Sequence, residues 1–495
     1  MCERVRTFEG VRGHAPGVKI AVPPYHRLSR AEKAIMKLVV TGISARRMGT
    51  AMMWLRRISL TVALLFALTT GAAAQSRFIV RDNLGAGALN LVCTLLGCSV
   101  NGSLGDPQGQ LFSITGPLGS TLSFASNLLG AFGIVDVEVD QLVNVAQAAT
   151  PTASASTPGL YNTTPVNYFG TTVWAGYVNQ PAAGIINLPK VQSGMDLTGK
   201  GIVAVIDTGV DPTHPMLQNV VLPGYDFTRN QAGANEANDL DHSSAAVLDS
   251  NSNDPNAQPI VLDHSSAAVL DHSSAAVLDN SQYQAFGHGT SVAGIIHLVA
   301  PQAMILPLKS FTATGSANLS DIVRAIYYAT SHKANVISMS FSFPTYSLEM
   351  YTSLKYANLN GLVAVAAAGN DGQQEVVYPA GYTDVVMGVA STNNQDQRSA
   401  FSNYGSQVVF VAAPGENVVT AYPYNHYAAC SGTSFSTPMV AGAAALALSV
   451  RSANESQASS AVSHAVYIDK TLNHGRLDLY QAMQAWLNSS GGLWP

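Results

Sequence analysis

The chain has 495 residues, enough for two or three domains, with 25 Lys and Arg against 30 Asp and Glu and a formal net charge of −5. Hydrophobic residues make up 47% and charged residues only 11%, so a sizeable core can be buried and general disorder is excluded. The mild negative balance gives no electrostatic basis for nucleic-acid binding, and four cysteines, Cys2, Cys93, Cys98 and Cys430, are too few for a disulfide scaffold.

Residues 1–51 hold ten Lys and Arg and no clear element. They read as an upstream extension, best explained by a start at Met48, Met52 or Met53. Residues 52–74 read as a signal peptide. Arg56 and Arg57 precede an apolar run over 58–68, and small residues lead to Ala72-Ala73-Ala74. The run is shorter than the about 20 apolar residues of a membrane span. The expectation is a secreted protein with no stable membrane span.

Residues 75–143 read as a small α+β unit. Strands are expected at 77–81, 111–114 and 135–139, and helical spacing runs over 120–132. Cys93 and Cys98 lie here and can pair, although the sequence leaves that open. Residues 144–165, with the run "AQAATPTASASTPGLYNTTP", read as an exposed linker.

From about Gly199 short apolar runs alternate with amphipathic segments. The runs are 202–206, 304–308, 336–339, 362–367, 385–389 and 408–412, with helices at 319–331 and 347–358 and an Ala- and Gly-rich one at 434–450. This pattern predicts an α/β body over 166–487: a doubly wound, mostly parallel sheet with helices on both faces. The sequence "LDHSSAAVLD" occurs at 240–249, 262–271 and 270–279. Residues 229–284 therefore read as a low-complexity insert, expected to be an exposed loop without a catalytic part, and 488–495 as a tail.

Four residues offer the chemistry of peptide hydrolysis, which needs a nucleophile, a base, a group that orients the base and donors for the oxyanion. Asp207 ends the apolar run "IVAVIDTG", where open α/β sheets place their sites; taken alone it is as well explained as a turn residue. His288 stands between two glycines in "FGHGTSVAGII" and opens a short helix. Ser434 opens the helix of "SGTSFSTPMVAGAAALAL", whose N-terminus offers N–H groups and a positive dipole end; an ordinary N-cap is the plainer alternative. Asn370 closes "LVAVAAAGN" and could donate its amide to the oxyanion.

These segments resemble those of the subtilisin-like serine peptidases, the subtilases. "VIDTGVDPTHP", "GHGTSVAG", "AAAGN" and "GTSFSTPMVAGAAAL" stand in that family's order of Asp, His, Asn and Ser. The resemblance runs over roughly 168–487 apart from the insert. More weakly, 77–143 resembles the family's inhibitory propeptide, a folding aid that blocks the site until removed.

The resemblance implies a secreted endopeptidase acting on protein or peptide substrates, with its own propeptide as inhibitor. Asp207 would orient His288, His288 would act as base and then acid, Ser434 would attack, and Asn370 with the Ser434 N–H would form the oxyanion hole. A substrate would lie as an added strand against Ser340, Phe341 and Ser342 and a second segment that the sequence does not identify. No cofactor is required for this chemistry. A structural calcium ion is compatible with it, but no metal site can be assigned.

Two departures stand out: Ser342 and Phe343 occupy the place of a common Gly-Gly, and Ser291 that of a common His. A catalytically silent relative that only binds would be expected to lack a triad residue, and none is missing. A non-enzymatic surface protein would account for the repeat but not for the four motifs.

Overall fold

The computed structural model of the chain describes residues 76–116, 133–145, 162–240, 260–262 and 283–489. The upstream extension, the signal-peptide segment, the helix expected at 120–132, most of the linker and of the repeats, and the end of the tail lie outside the described residues.

The first unit contains β1 (Ser76–Asp82), α1 (Ala86–Leu96), β2 (Ser99–Ser103), β3 (Leu111–Gly116) and β4 (Ile134–Val139). Its sheet has the order β2-β3-β1-β4, every pair antiparallel. Strand periodicity divides β1 between two faces. Phe78 and Val80 meet Leu89, Val92 and Cys93 of α1 in a small core, while Ile79 joins Leu104 and Leu111 against the body. Helix α1 and strand β2 are additions to the elements read from sequence. The helix has no side-chain cap and starts after Gly85, and β2 is a largely exposed polar edge, so neither carries a strong local signal. Cys93 and Cys98 form a disulfide across the end of α1.

Strand β5 (Leu142–Val145) leaves this unit and enters the body. The body then supplies β6 (Ile202–Asp207), β7 (Tyr225–Asp226), β8 (Gln231–Ala232), α2 (His288–Val299), β9 (Met304–Lys309), β10 (Ser316–Asn318), α3 (Leu319–Ser331), β11 (Val336–Met339), β12 (Phe341–Ser342), α4 (Leu348–Leu359), β13 (Val363–Ala367), β14 (Met387–Thr392), β15 (Val411–Pro414), β16 (Val418–Tyr422), β17 (His426–Cys430) and α5 (Thr433–Val450). Eight of the strands form one sheet in the order β8-β7-β9-β6-β11-β13-β14-β15. All neighbours are parallel except the edge pair β8 and β7.

The apolar runs are continuous because both faces are covered. Val203 and Val205 point into the core shared with α2 and α5. Ala204 and Ile206 point into the one shared with α3 and α4. Sequence direction reverses on either side of β6, so Asp207 ends the strand at the switch point, where α/β sheets open a crevice. Helix α5 is the one described helix long and apolar enough to cross a membrane; 83% of that stretch is buried inside the body. Its small residues permit that burial: a Cβ at Gly442 would come 2.6 Å from Val299 Cβ on α2.

The insert has to be redrawn. Residues 229–240 are ordered parts of the body, with β8, a 3-10 turn at Glu236–Asp239 and a buried Glu236. The three-residue strand Ile260–Leu262 pairs in parallel with β17. Tyr283, Ala285 and Phe286 are buried. Low complexity begins with the first repeat at Leu240, and a boundary there would have matched the packing.

Candidate active site

Asp207, at the end of β6, is buried, and its Oδ1 accepts from the Thr208 N–H at 2.7 Å. His288, the first residue of α2, is buried too, and its Nδ1 lies 2.7 Å from Asp207 Oδ1. The two loops touch closely because Gly289 has no side chain: a Cβ there would stand 2.0 Å from the Gly209 carbonyl oxygen. The Gly289 N–H donates to Thr208 Oγ1 at 2.9 Å, a second tie between the Asp and His segments.

Ser434 is the second residue of α5. Phe435, beside it, has its ring centroid 5.4 Å from that of His288, so the three motifs converge. Pro438 lacks an N–H, so the Ser434 carbonyl loses its helical donor. Ser340 supplies the replacement. Its Oγ donates to the Ser434 carbonyl at 2.8 Å, and the Ser434 Oγ donates to the Ser340 carbonyl at 3.0 Å. The proline therefore fixes an exchange of bonds between the serine helix and the strand edge.

Asn370 follows β13. Its Oδ1 accepts from the N–H and the hydroxyl of Thr433, at 2.9 and 2.8 Å. With the oxygen engaged at the start of α5, the amide nitrogen faces the Gly432 side, where a Cβ on that glycine would lie 3.5 Å from it. An amide donor and the first N–H groups of a helix thus share one place, the arrangement that stabilises a developing negative oxygen.

Phe341 and Ser342 form β12, and Ser340 precedes it. The partner segment missed from sequence is β10, Ser316–Asn318. Between them lies β5, antiparallel to both. Asn144 is opposite Ser316 on one side and Ser342 on the other; Val145 is opposite Phe341 and donates its N–H to the Gly315 carbonyl at 2.8 Å. The three-stranded β10–β5–β12 arrangement, whose middle strand β5 has four residues, extends the first unit two residues beyond 143. β10 carries no apolar alternation, only "GSAN", so nothing local marks it as a strand.

The departures from the motif pattern have clear settings. Phe343 is buried and exchanges two backbone bonds of 2.8 Å with Tyr378. Ser291 is buried in α2 and donates to the Ala421 carbonyl at 3.0 Å. Cys430 is buried, and desolvation pushes its thiol up to about 12, which makes it a poor nucleophile.

Two further groups near the site lie outside the sequence expectations. Glu236 is fully buried beside Thr208 and the start of α2; burial pushes its carboxyl up to about 7, with the Thr290 and Thr208 hydroxyls opposing that shift. Lys309, at the end of β9, is also fully buried. Its ammonium donates to the carbonyls of Thr208 and Phe311 and to Asp239 Oδ2, each at 2.7 Å. Asp239 also pairs with Arg229. Among the described residues no cluster of three or more His, Cys, Asp or Glu side chains could hold a metal ion.

A doubly wound body with these motif ends in this order defines a class, the subtilisin-like serine peptidases. The subtilase family model matches residues 199–483, more than half of the chain, and the chain belongs to the subtilase family. It is 34% identical over 299 residues to thermitase from Thermoactinomyces vulgaris, covering 57% of this chain and 88% of that protein. It is 33% identical over 288 residues to a thermophilic serine proteinase from Bacillus sp. strain AK1, covering 57% of this chain and 61% of that protein. The major intracellular serine protease of Bacillus subtilis strain 168 is 32% identical over 290 residues, with 54% and 75% covered. A solved chain titled a cold adapted subtilisin-like serine proteinase aligns at 26% identity with a TM-score of 0.45, covering 57% of this chain and 90% of that one. By family, the chain is a serine endopeptidase.

Proposed function

We propose that this subtilase is a secreted endopeptidase, made as a precursor whose first unit occupies the substrate cleft until it is cut away. The observation that carries the reading is β5: a segment of the chain itself lies as the middle strand between β10 and β12, where an extended peptide would bind.

In the proposed reaction Ser434 Oγ attacks the carbonyl carbon of the scissile bond while His288 takes its proton. Asp207 holds Nδ1 of the imidazole, so Nε2 is the nitrogen that accepts. The electron pair moves onto the carbonyl oxygen, which the Asn370 amide and the Ser434 N–H receive. Collapse breaks the C–N bond, and the amine leaves with the proton from His288. Water, deprotonated by His288, then releases the acid from the acyl-enzyme. Asp207 stays ionised throughout and stabilises the imidazolium. This chemistry uses no cofactor.

The described part of β5 ends beside the nucleophile: Val145 is opposite Phe341, and the carbonyl of the preceding Ser340 holds the Ser434 hydroxyl. Cutting is therefore proposed in the segment that follows Val145. Secretion rests on the signal-peptide pattern over 52–74. A silent binding protein has no support from relatives named as proteinases.

The test is expression of the full chain in a secreting host, with labelling by a fluorophosphonate and N-terminal sequencing of the product. Labelling on Ser434 and a new N-terminus in the segment that follows Val145 are expected. An unlabelled wild-type protein would end the peptidase reading, and an intracellular product retaining residues 75–145 would end the secreted-precursor reading.

A further inference from the structure

Helix α2 begins with His288 yet has no cap of its own, because Gly287 stands at its N-cap and has no side chain. Its first N–H groups still need acceptors, since helix starts leave them unpaired. Glu236, 52 positions earlier in the chain and within the segment that reads as an insert, supplies them. Its Oε2 accepts from the Gly287 N–H at 2.9 Å. Its Oε1 accepts from the Thr290 N–H at 3.1 Å and from the Thr290 hydroxyl.

The same carboxylate reaches the other motif. Oε2 also accepts from Thr208 Oγ1 at 2.9 Å, and Thr208 directly follows Asp207. Thr208 Oγ1 in turn receives the Gly289 N–H, and Thr290 Oγ1 receives the Asp211 N–H at 2.8 Å. Residues 208, 287 and 290 flank Asp207 and His288 and converge on one side chain. We infer that Glu236 is a positioning residue of this peptidase, a buried third carboxylate that holds the Asp207 loop and the His288 helix start in mutual register.

An ionised carboxylate suits this place because it only accepts, and four donors meet its two oxygens. A neutral amide of the same shape presents a donor to two of them. A negative group also complements the positive end of α2. Burial opposes ionisation and raises the carboxyl to about 7, whereas the Thr290 and Thr208 hydroxyls, Lys309 and the Gly287 N–H favour the ionised form, so the acceptor-only carboxylate is the form present above about pH 7.

This inference rests on the triad reading, so its test has to separate the two. Wild type, Glu236→Gln, Glu236→Asp and Thr290→Val are made as full-length precursors and processed in trans by tagged wild-type enzyme that is then removed. Each is assayed for kcat and KM on a small peptide ester, and for its melting temperature. An inactive wild type refutes the triad reading itself. With wild type active, Glu236→Gln is expected to lose tenfold or more in kcat with KM within twofold. Glu236→Asp should recover part of that loss, because it keeps the acceptor-only chemistry. A folded Glu236→Gln enzyme with kcat within twofold of wild type overturns the inference. So does an equal change in kcat and KM that follows the fall in melting temperature. If Glu236→Gln does not fold, Thr290→Val decides: it removes one hydroxyl from the bracket and should cost severalfold in kcat, and an unchanged kcat there overturns the inference.

Discussion

The first unit and the body are held together by different means. The body's sheet lies between two continuous apolar cores, and strands such as β6 and β13 are almost entirely inaccessible. Among the described residues the first unit has its own core of eight buried residues, one disulfide and an outer face that leaves Leu84, Leu91 and Leu95 exposed. It meets the body through Ile79, Leu104 and Leu111, through the single strand β5, and through charge. Arg81 pairs with the buried Glu349, Asp140 accepts from the N–H and hydroxyl of Ser320 at the start of α3, and Glu138 accepts from Ser347 and the Leu348 N–H at the start of α4. A large apolar core makes separation very costly, whereas a small contact rich in polar groups can be undone once the connecting chain is cut. The body has the construction of a part that stays, and the first unit that of a part that can leave.

The strongest way to break this comparison is Ser434→Ala. Turnover should be abolished, and the purified precursor should stay in one piece, because the hydroxyl is the proposed nucleophile and its loss disturbs little packing. Mass spectrometry of the precursor after prolonged incubation checks this, and normal cutting by the mutant alone would mean another protease separates the two regions. Asn370→Ala should lower kcat by about 10²–10³ with little change in KM, the range measured for the oxyanion-hole asparagine of subtilisin. Steady-state kinetics with an unchanged kcat would remove Asn370 from the site.

A smaller effect sharpens the contact between the regions. Burial raises the Glu138 carboxyl to about 7 from its ordinary 4.5, with Glu349 and Asp136 adding to the rise and the Ser347 bond opposing it. In the released unit that carboxyl returns to the ordinary range. The docked state then holds the proton more tightly, so docking is firmest below about pH 4.5 and weakens as pH rises through about 7. The cleaved first unit should therefore stay with the body in gel filtration at pH 5 and dissociate more readily at pH 8, by on the order of tenfold. Glu138→Gln should flatten this dependence, and an unaltered slope in that variant would assign it to other groups.

The smallest effect concerns the repeats. Deletion of the whole insert as read from sequence, 229–284, would remove Asp239 and strip the buried Lys309 of its carboxylate partner, and an uncompensated buried charge is strongly destabilising. Removing 263–279 instead keeps Asp239, Glu236 and the Ile260–Leu262 strand. It should leave kcat/KM on a small peptide within about twofold, since loop closure changes by only ~0.6 kcal/mol per doubling of length. A folded deletion variant with a much lower kcat/KM would show that the repeats belong to the part that stays.

Much of the molecule was legible in the sequence. Helix α3 and strand β11 begin and end where their periodicity predicts, because buried parallel strands and amphipathic helices write their environment into short windows. The motifs around Asp207, His288, Asn370 and Ser434 were readable for the same reason: each couples a reactive side chain to a local backbone need, a strand end, a glycine bend or a helix start. What only the tertiary structure decided are pairings between distant segments. Strand β10 has no apolar pattern and becomes a strand through its partner β5. Ser340 matters because Pro438 leaves a carbonyl 94 residues away without its donor. Glu236 looks like one acidic residue in a run of Ala and Asn, next to a repeat. Its four bonds go to residues 28 to 54 positions away, and no local pattern encodes a hydrogen bond whose two ends meet only when the sheet has formed.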